Sequence, residues 1–325
     1  MVKSNRIEWI DICKGIGIIL VVIGHTGIGQ ISPSIYNYIY SFHMPLFYFL
    51  SGLTFNNDKY NNLATFLKRR FWTLILPFLI LNLIVYLYIY ISRIHYIPTQ
   101  SFSNLITGCL ALYFLRVLII TEIWHFIIYK IIKKNPIRIL FTVLLVIIID
   151  QLRGLNYKEL GLTSNEAISY LLPSIPIIYY TIGNSCKFLL KSFQQKIRYS
   201  ILFLLLSILV SILILNYGVG GYFRIIPAIS GIISCTITSI IISRLTLTQV
   251  KNFFLFVGKN TIIIVAFHQI IYNSLKLVTD IIPLNKLTDI SLRFVVMGVL
   301  LYGLIKLINS YFPVLAGKYQ PISRN

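Results

Sequence analysis

The sequence predicts an all-α polytopic membrane protein of about ten transmembrane helices, with both termini in the cytoplasm. Three observations carry that prediction. Of 325 residues, 57% are hydrophobic and only 12% are charged, half the charged share of an average globular protein, and the mean hydropathy is +0.81. Apolar runs recur at close to the ~20 residues that span a bilayer, and ten such runs leave little chain for a water-soluble domain. The basic residues, which bring the net charge to +20, stand in short clusters between those runs. That is the pattern of topology signals and not of a nucleic-acid surface.

Taken in order, the candidate spans lie near 9–29, 36–55, 71–91, 104–129, 137–150, 167–186, 199–217, 222–243, 257–279 and 290–312. Segment 137–150 is short, and the loop charges test whether it counts. With the N-terminus inside, nineteen Lys and Arg fall in cytoplasmic loops against seven outside, and omitting one span would scramble that split. The leading MVKSNR runs into Glu8, Asp11 and Lys14 without a small-residue cleavage site, so the first apolar run is read as a retained span. Residues 1–325 are read as one transmembrane domain, with no internal repeat. Loop 150–166 is the most polar outer connection. Cys13, Cys109, Cys186 and Cys235 match no metal or redox spacing, and no metal site is expected.

Ionisable side chains inside spans are costly, about 2.5–3.5 kcal/mol at mid-membrane, and mark candidate function. The first span, IEWIDICKGIGIILVVIGHTG, holds Asp11, Lys14 and His25. Lys14 and His25 are eleven residues apart, 20° past three full helical turns, and Asp11 falls within 40° of the same face. The stripe runs ~16 Å from Lys14 to His25, beside Gly15, Gly17 and Gly24, which permit close approach of a helix or ligand. An imidazole in apolar surroundings favours its neutral form and is ready to accept a proton. His43 opens the returning span at similar depth, and Met44-Pro45 is expected to break that helix and free carbonyls along a cavity. In the fourth span, Glu122 and His125 are spaced to pair with each other, while Arg116 needs a partner from another helix. His268 lies mid-span in the ninth.

A Lys, ten residues and a His, followed by FHMPLFYFLSG, resembles the acyltransferase family 3 integral membrane enzymes, and more closely their fucose 4-O-acetylase-like branch. FLKRRFWTLILP at 66–77, LYFLRVL at 112–118 and FVGKNTIIIVAFHQ at 256–269 extend the resemblance over most of the chain. The resemblance implies a ten-span bacterial inner-membrane protein that moves an acyl group, usually acetyl from acetyl-CoA, to a hydroxyl of a cell-surface glycan or its lipid-linked precursor. The motif histidine maps to His25 and the motif basic residue to Lys14. Thr73 stands where many members have a further arginine, and Tyr113 and Arg116 stand where Trp and Pro are frequent.

The chemistry needs a base for the hydroxyl, a held acyl donor and stabilisation of the oxyanion. His25, Lys14 and Asp11 are the expected catalytic group, with His43, Arg116, Glu122 and His268 contacting substrate. Lys68, Arg69 and Arg70 are suited to the phosphates of coenzyme A, whose pantetheine arm would follow the first-span stripe toward His25. The competing reading is a transporter or flippase of a polar solute or glycan precursor, with His25, His43, Arg116 and Glu122 along its path; it calls for repeated halves.

Overall fold

The computed structural model describes residues 7–94, 97, 102–154, 174–187, 209 and 225–318. These residues are helical, with no strand among them. In chain order come α1 (Glu8–Gly24), α2 (Pro33–Thr54), α3 (Leu63–Arg70), α4 (Leu76–Ser92), α5 (Asn104–Thr107) and α6 (Tyr113–Ile131). There follow α7 (Asn135–Gly154), α8 (Ser174–Ser185), α9 (Ile225–Arg244), α10 (Thr248–Lys259), α11 (Thr261–Thr279) and α12 (Lys286–Tyr311). The expected span at 199–217 lies outside the described residues except for Leu209, as do His95, most of loop 150–166 and the first part of 167–186.

Among the described residues five helices are long and apolar enough to cross a membrane: Leu63–Ser92, Leu110–Ile131, Ile225–Arg244, Thr261–Thr279 and Lys286–Tyr311. The chain is a membrane protein. Two compact units organise it, residues 1–47 with 188–307, and residues 48–187 with 308–325.

In the first unit α1 packs chiefly against α10 and α9. The contact with α10 is close because glycines face backbone: a Cβ on Gly258 would run into the Asp11 carbonyl oxygen, and one on Gly15 into that of Phe254. This is the small-residue packing by which membrane helices gain dispersion contacts that lipid cannot replace. Helix α10 occupies 248–259, where the sequence led us to expect a loop and the start of a longer span. It packs on α1 with Leu255, Val257 and Gly258 buried, and the chain bends at Asn260 before α11.

In the second unit the expected third span begins earlier than 71. Asn62 closes a capping box with Thr65, satisfying helix N-terminal donors, so Lys68, Arg69 and Arg70 are helical and not in a loop. One π turn, Phe71–Ile75, joins α3 to α4, next to Pro77, which cannot donate to the Thr73 carbonyl. The expected continuous span at 104–129 is broken between α5 and α6, where Gly108 takes φ +98°, a conformation suited to glycine. Fully buried Asn82 stabilises the break. Its amide donates to the carbonyls of Asn104 and Leu105, both at 2.9 Å, and accepts from the Cys109 N–H at 2.7 Å. Each such group left unpaired would cost about 1–3 kcal/mol.

Pro45, expected to break the second span, lies inside a continuous α2. Membrane helices accommodate a proline because packing around them compensates for the lost donor.

Candidate active site

Helix α1 ends at Gly24, and His25 caps it with its backbone N–H on Val22 and Val21 carbonyls at 3.0 and 3.2 Å. The following turn is tied to α11, since the Tyr272 hydroxyl donates to the Thr26 carbonyl at 2.7 Å. This tether brings two neighbouring residues of α11, His268 and Gln269, to the end of α1. The Gln269 amide nitrogen stands 2.9 Å from His25 Nδ1, and the His268 ring centroid is 5.3 Å from that of His25. From α2, the Tyr40 hydroxyl reaches 3.4 Å from the same Nδ1, and the Tyr40 ring lies 4.8 Å from His43.

His43 and His268 are held alike. Each donates its Nδ1–H to a carbonyl one helical turn back: His43 to Ile39 at 2.8 Å, and His268 to Ile264 at 2.8 Å and Val265 at 3.1 Å. A carbonyl only accepts, so Nδ1 carries the proton and Nε2 keeps the lone pair in each neutral ring. These two rings are therefore anchored through Nδ1, and in its neutral form each presents Nε2 as a hydrogen-bond acceptor.

Asp11 and Lys14 lie in the first half of α1, Asp11 buried and Lys14 half-buried. Helical geometry through Gly24 keeps Lys14 ~16 Å along the axis from His25. They share a helix with the imidazole cluster but not its immediate neighbourhood.

The second unit holds a different cluster. Glu122 does not pair with His125. It takes Arg70, with Nε 2.7 Å from Oε2 and Nη2 donating to Oε1 at 3.1 Å, and accepts from the Tyr180 hydroxyl at 3.4 Å. The Arg70 guanidinium also lies over the Phe55 ring at 5.5 Å. His125 Nδ1 meets the Thr181 hydroxyl at 3.2 Å. A guanidinium is a better partner for Glu122 than an imidazole beside it, being permanently charged and planar. Arg116 is half-buried on α6, six residues before Glu122.

Lys68 and Arg69 turn the other way. With Lys59, Tyr60, Thr65, Trp72 and Thr73 they line a pocket of about 350 Å³. Burial and the neighbouring Arg69 and Arg70 guanidiniums lower the Lys59 pKa from its ordinary value. A pocket with three cations, three hydroxyl-bearing side chains and two aromatic rings suits an anion carrying a planar ring. Arg70 does not line it. Among the described residues no group of three or more His, Cys, Asp or Glu is placed to hold a metal ion.

Sequence reasoning missed Gln269, Tyr40, Tyr180 and Asn82. Gln269 had a signal, an amide mid-span beside His268. Tyr40 and Tyr180 did not stand out among 22 tyrosines.

An apolar helical chain with imidazoles gathered at the end of one helix defines an integral membrane protein. The family model described as an acyltransferase domain, that of acyltransferase family 3, matches residues 7–308, and the chain belongs to this family. The match runs through both compact units. No curated protein and no solved structure matches the chain. Membership makes the protein a membrane acyltransferase and does not favour the transporter reading.

Proposed function

We propose that the protein is a bacterial inner-membrane O-acetyltransferase of the fucose 4-O-acetylase-like branch, acting as one ten-span domain with both termini cytoplasmic. It moves acetyl from acetyl-CoA to a hydroxyl of a cell-surface glycan or its lipid-linked precursor. The observation that carries this reading is the convergence of His25, His268, Gln269 and Tyr40 at the end of α1 in a chain of this family.

His25 is the general base. Its Nδ1 is held by Gln269 and Tyr40, which leaves Nε2 for the acceptor hydroxyl. A base at Nε2 carries its own proton on Nδ1, and the Gln269 amide then presents its oxygen to the ring. As the hydroxyl oxygen attacks the acetyl carbonyl, its proton passes to Nε2. The C–S bond breaks and the proton leaves on the coenzyme thiol. Lys68 and Arg69, with Lys59, hold the coenzyme phosphates in the basic pocket, where Trp72 offers a face to the adenine. Lys14 and Asp11 act from the lower part of the α1 stripe, and Arg116 and His43 position substrate.

The test is release of coenzyme thiol from acetyl-CoA by purified protein in nanodiscs, with the glycan fraction of the cell envelope as acceptor. Mass spectrometry of surface polysaccharide from deletion and parent strains then identifies the acetylated sugar. An unchanged polysaccharide together with no thiol release would sink the proposal.

A further inference from the structure

His268 is 1% exposed. Its Nδ1 points back at its own helix, bonded to the Ile264 and Val265 carbonyls, so Nε2 points away from α11. That nitrogen is buried and meets no donor among the described residues. Donation from Nδ1 fixes the tautomer, and Nε2 is an acceptor that only an O–H or N–H can satisfy. It stands beside His25, ring centroids 5.3 Å apart. The adjacent Gln269 on the same helix holds the other side of His25, so α11 sets both rings at once. A lone pair cannot stabilise an oxyanion, and the thioester brings no donor to this place. A sugar ring does, because its hydroxyls sit on neighbouring carbons, within reach of two rings this close.

We propose that His25 and His268 together form a binding site for a vicinal diol, His25 Nε2 facing the hydroxyl that is acetylated and His268 Nε2 accepting the hydrogen bond of its neighbour. This rests on the acetyltransferase reading. His268 is a specificity-determining residue that touches the acceptor: the neighbouring hydroxyl keeps its proton throughout, and the reacting hydroxyl loses its proton to His25. The substrate class is an acceptor with two adjacent free hydroxyls. Sites built to hydrogen-bond a substrate hydroxyl reject analogues lacking it strongly, because the buried acceptor is left unpaired.

The experiment compares His268→Leu and His268→Gln with the parent protein in nanodiscs, with acetyl-CoA and the envelope glycan fraction. Glutamine places an amide oxygen close to the position of Nε2, which accepts a hydrogen bond but takes no proton. His268→Leu should lower kcat/KM for the glycan by about tenfold or more, the loss of one hydrogen bond, with the KM for acetyl-CoA unchanged. His268→Gln should recover to within about threefold of the parent and keep its pH profile. Equal loss in both variants overturns the proposal and moves the base to His268; no loss in either overturns it as well. Product chemistry gives the second readout, since periodate cleaves vicinal diols and an ester on either hydroxyl blocks cleavage. Each acetyl added by the parent protein should lower periodate uptake; acetyl gain at constant uptake defeats the diol site and leaves the acetyltransferase reading standing. Absence of any transfer by the parent defeats both.

Discussion

In one compact unit Glu122 meets Arg70, Tyr180 and, through its helix, the His125–Thr181 pair; in the other, His43 and His268 bond their own helix backbones and His25 leans on Gln269 and Tyr40. The first cluster is charged and answers its charges across helices. The second takes its support from backbone, amide and hydroxyl groups, and its His268 keeps an Nε2 without a hydrogen-bond partner among the described residues. A membrane interior allows both, for different purposes. A charge there must be paired inside the protein, so a paired carboxylate is already occupied. An imidazole with one nitrogen anchored still has the other to offer a substrate.

This contrast can be broken most severely at His25. General-base contributions run on the order of 10²–10⁴-fold, so His25→Ala should lower acetyl transfer by at least ~100-fold at unchanged protein level, measured with normalised variants in nanodiscs. Retention of more than about a tenth of parental turnover would make the imidazole structural and move the base to His43, Glu122 or His268. Glu122→Gln tests the opposite cluster. Removing one partner of a buried pair costs about 3–5 kcal/mol; the loss should fall at the lower end because Arg70 keeps 23% of its side-chain exposure. It should be read as a drop in thermal unfolding temperature, and a companion Arg70→Met with Glu122→Leu should restore much of it. A stable, inactive Glu122→Gln would instead give this carboxylate a role with substrate.

A smaller effect separates three neighbours that the sequence presents as one basic cluster. Neutralising Lys68 and Arg69 should raise the KM for acetyl-CoA about tenfold and leave the KM for the glycan unchanged, whereas Arg70→Gln should lower stability. Equal weakening toward both substrates by the Lys68 and Arg69 changes would mark them as topology charges alone. The mildest change is His43→Ala, a few-fold loss in kcat/KM consistent with one net hydrogen bond of about 0.5–1.5 kcal/mol. Placement of the polar loop outside the membrane is checked by Glu159→Cys in intact cells, where maleimide labelling only after permeabilisation would reverse the orientation.

Asp11, Lys14, His25, His43, Glu122 and His268 were legible as functional candidates because each is polar in an apolar run, and insertion cost makes such residues stand out. Helix existence was legible for the same reason, from hydropathy alone. Less legible were the breaks. The 104–129 run is apolar throughout, yet Asn82 on α4 captures its backbone and divides it, an interaction between residues more than twenty positions apart. Helix α10 read as a loop because its charges outweighed its apolar face until Gly15 and Gly258 let it press against α1.

Partner choice was beyond the sequence for a related reason. Spacing along one helix shows that Glu122 and His125 share a face, and sequence logic pairs them; the fold supplies Arg70 from α3, with a stronger and better shaped charge. Likewise Lys68, Arg69 and Arg70 are adjacent in the chain, but consecutive helical positions are 100° apart. Two of them meet in a pocket and the third turns inward. The sequence by itself determined that the chain is a helical membrane protein and which few side chains are too costly to be idle, since both follow from transfer of each residue into hydrocarbon. Only the tertiary structure decided which of those side chains answer one another, because hydrogen-bond geometry and ion pairing depend on ångström separations between helices, and helices distant in the chain meet through packing that no local pattern encodes.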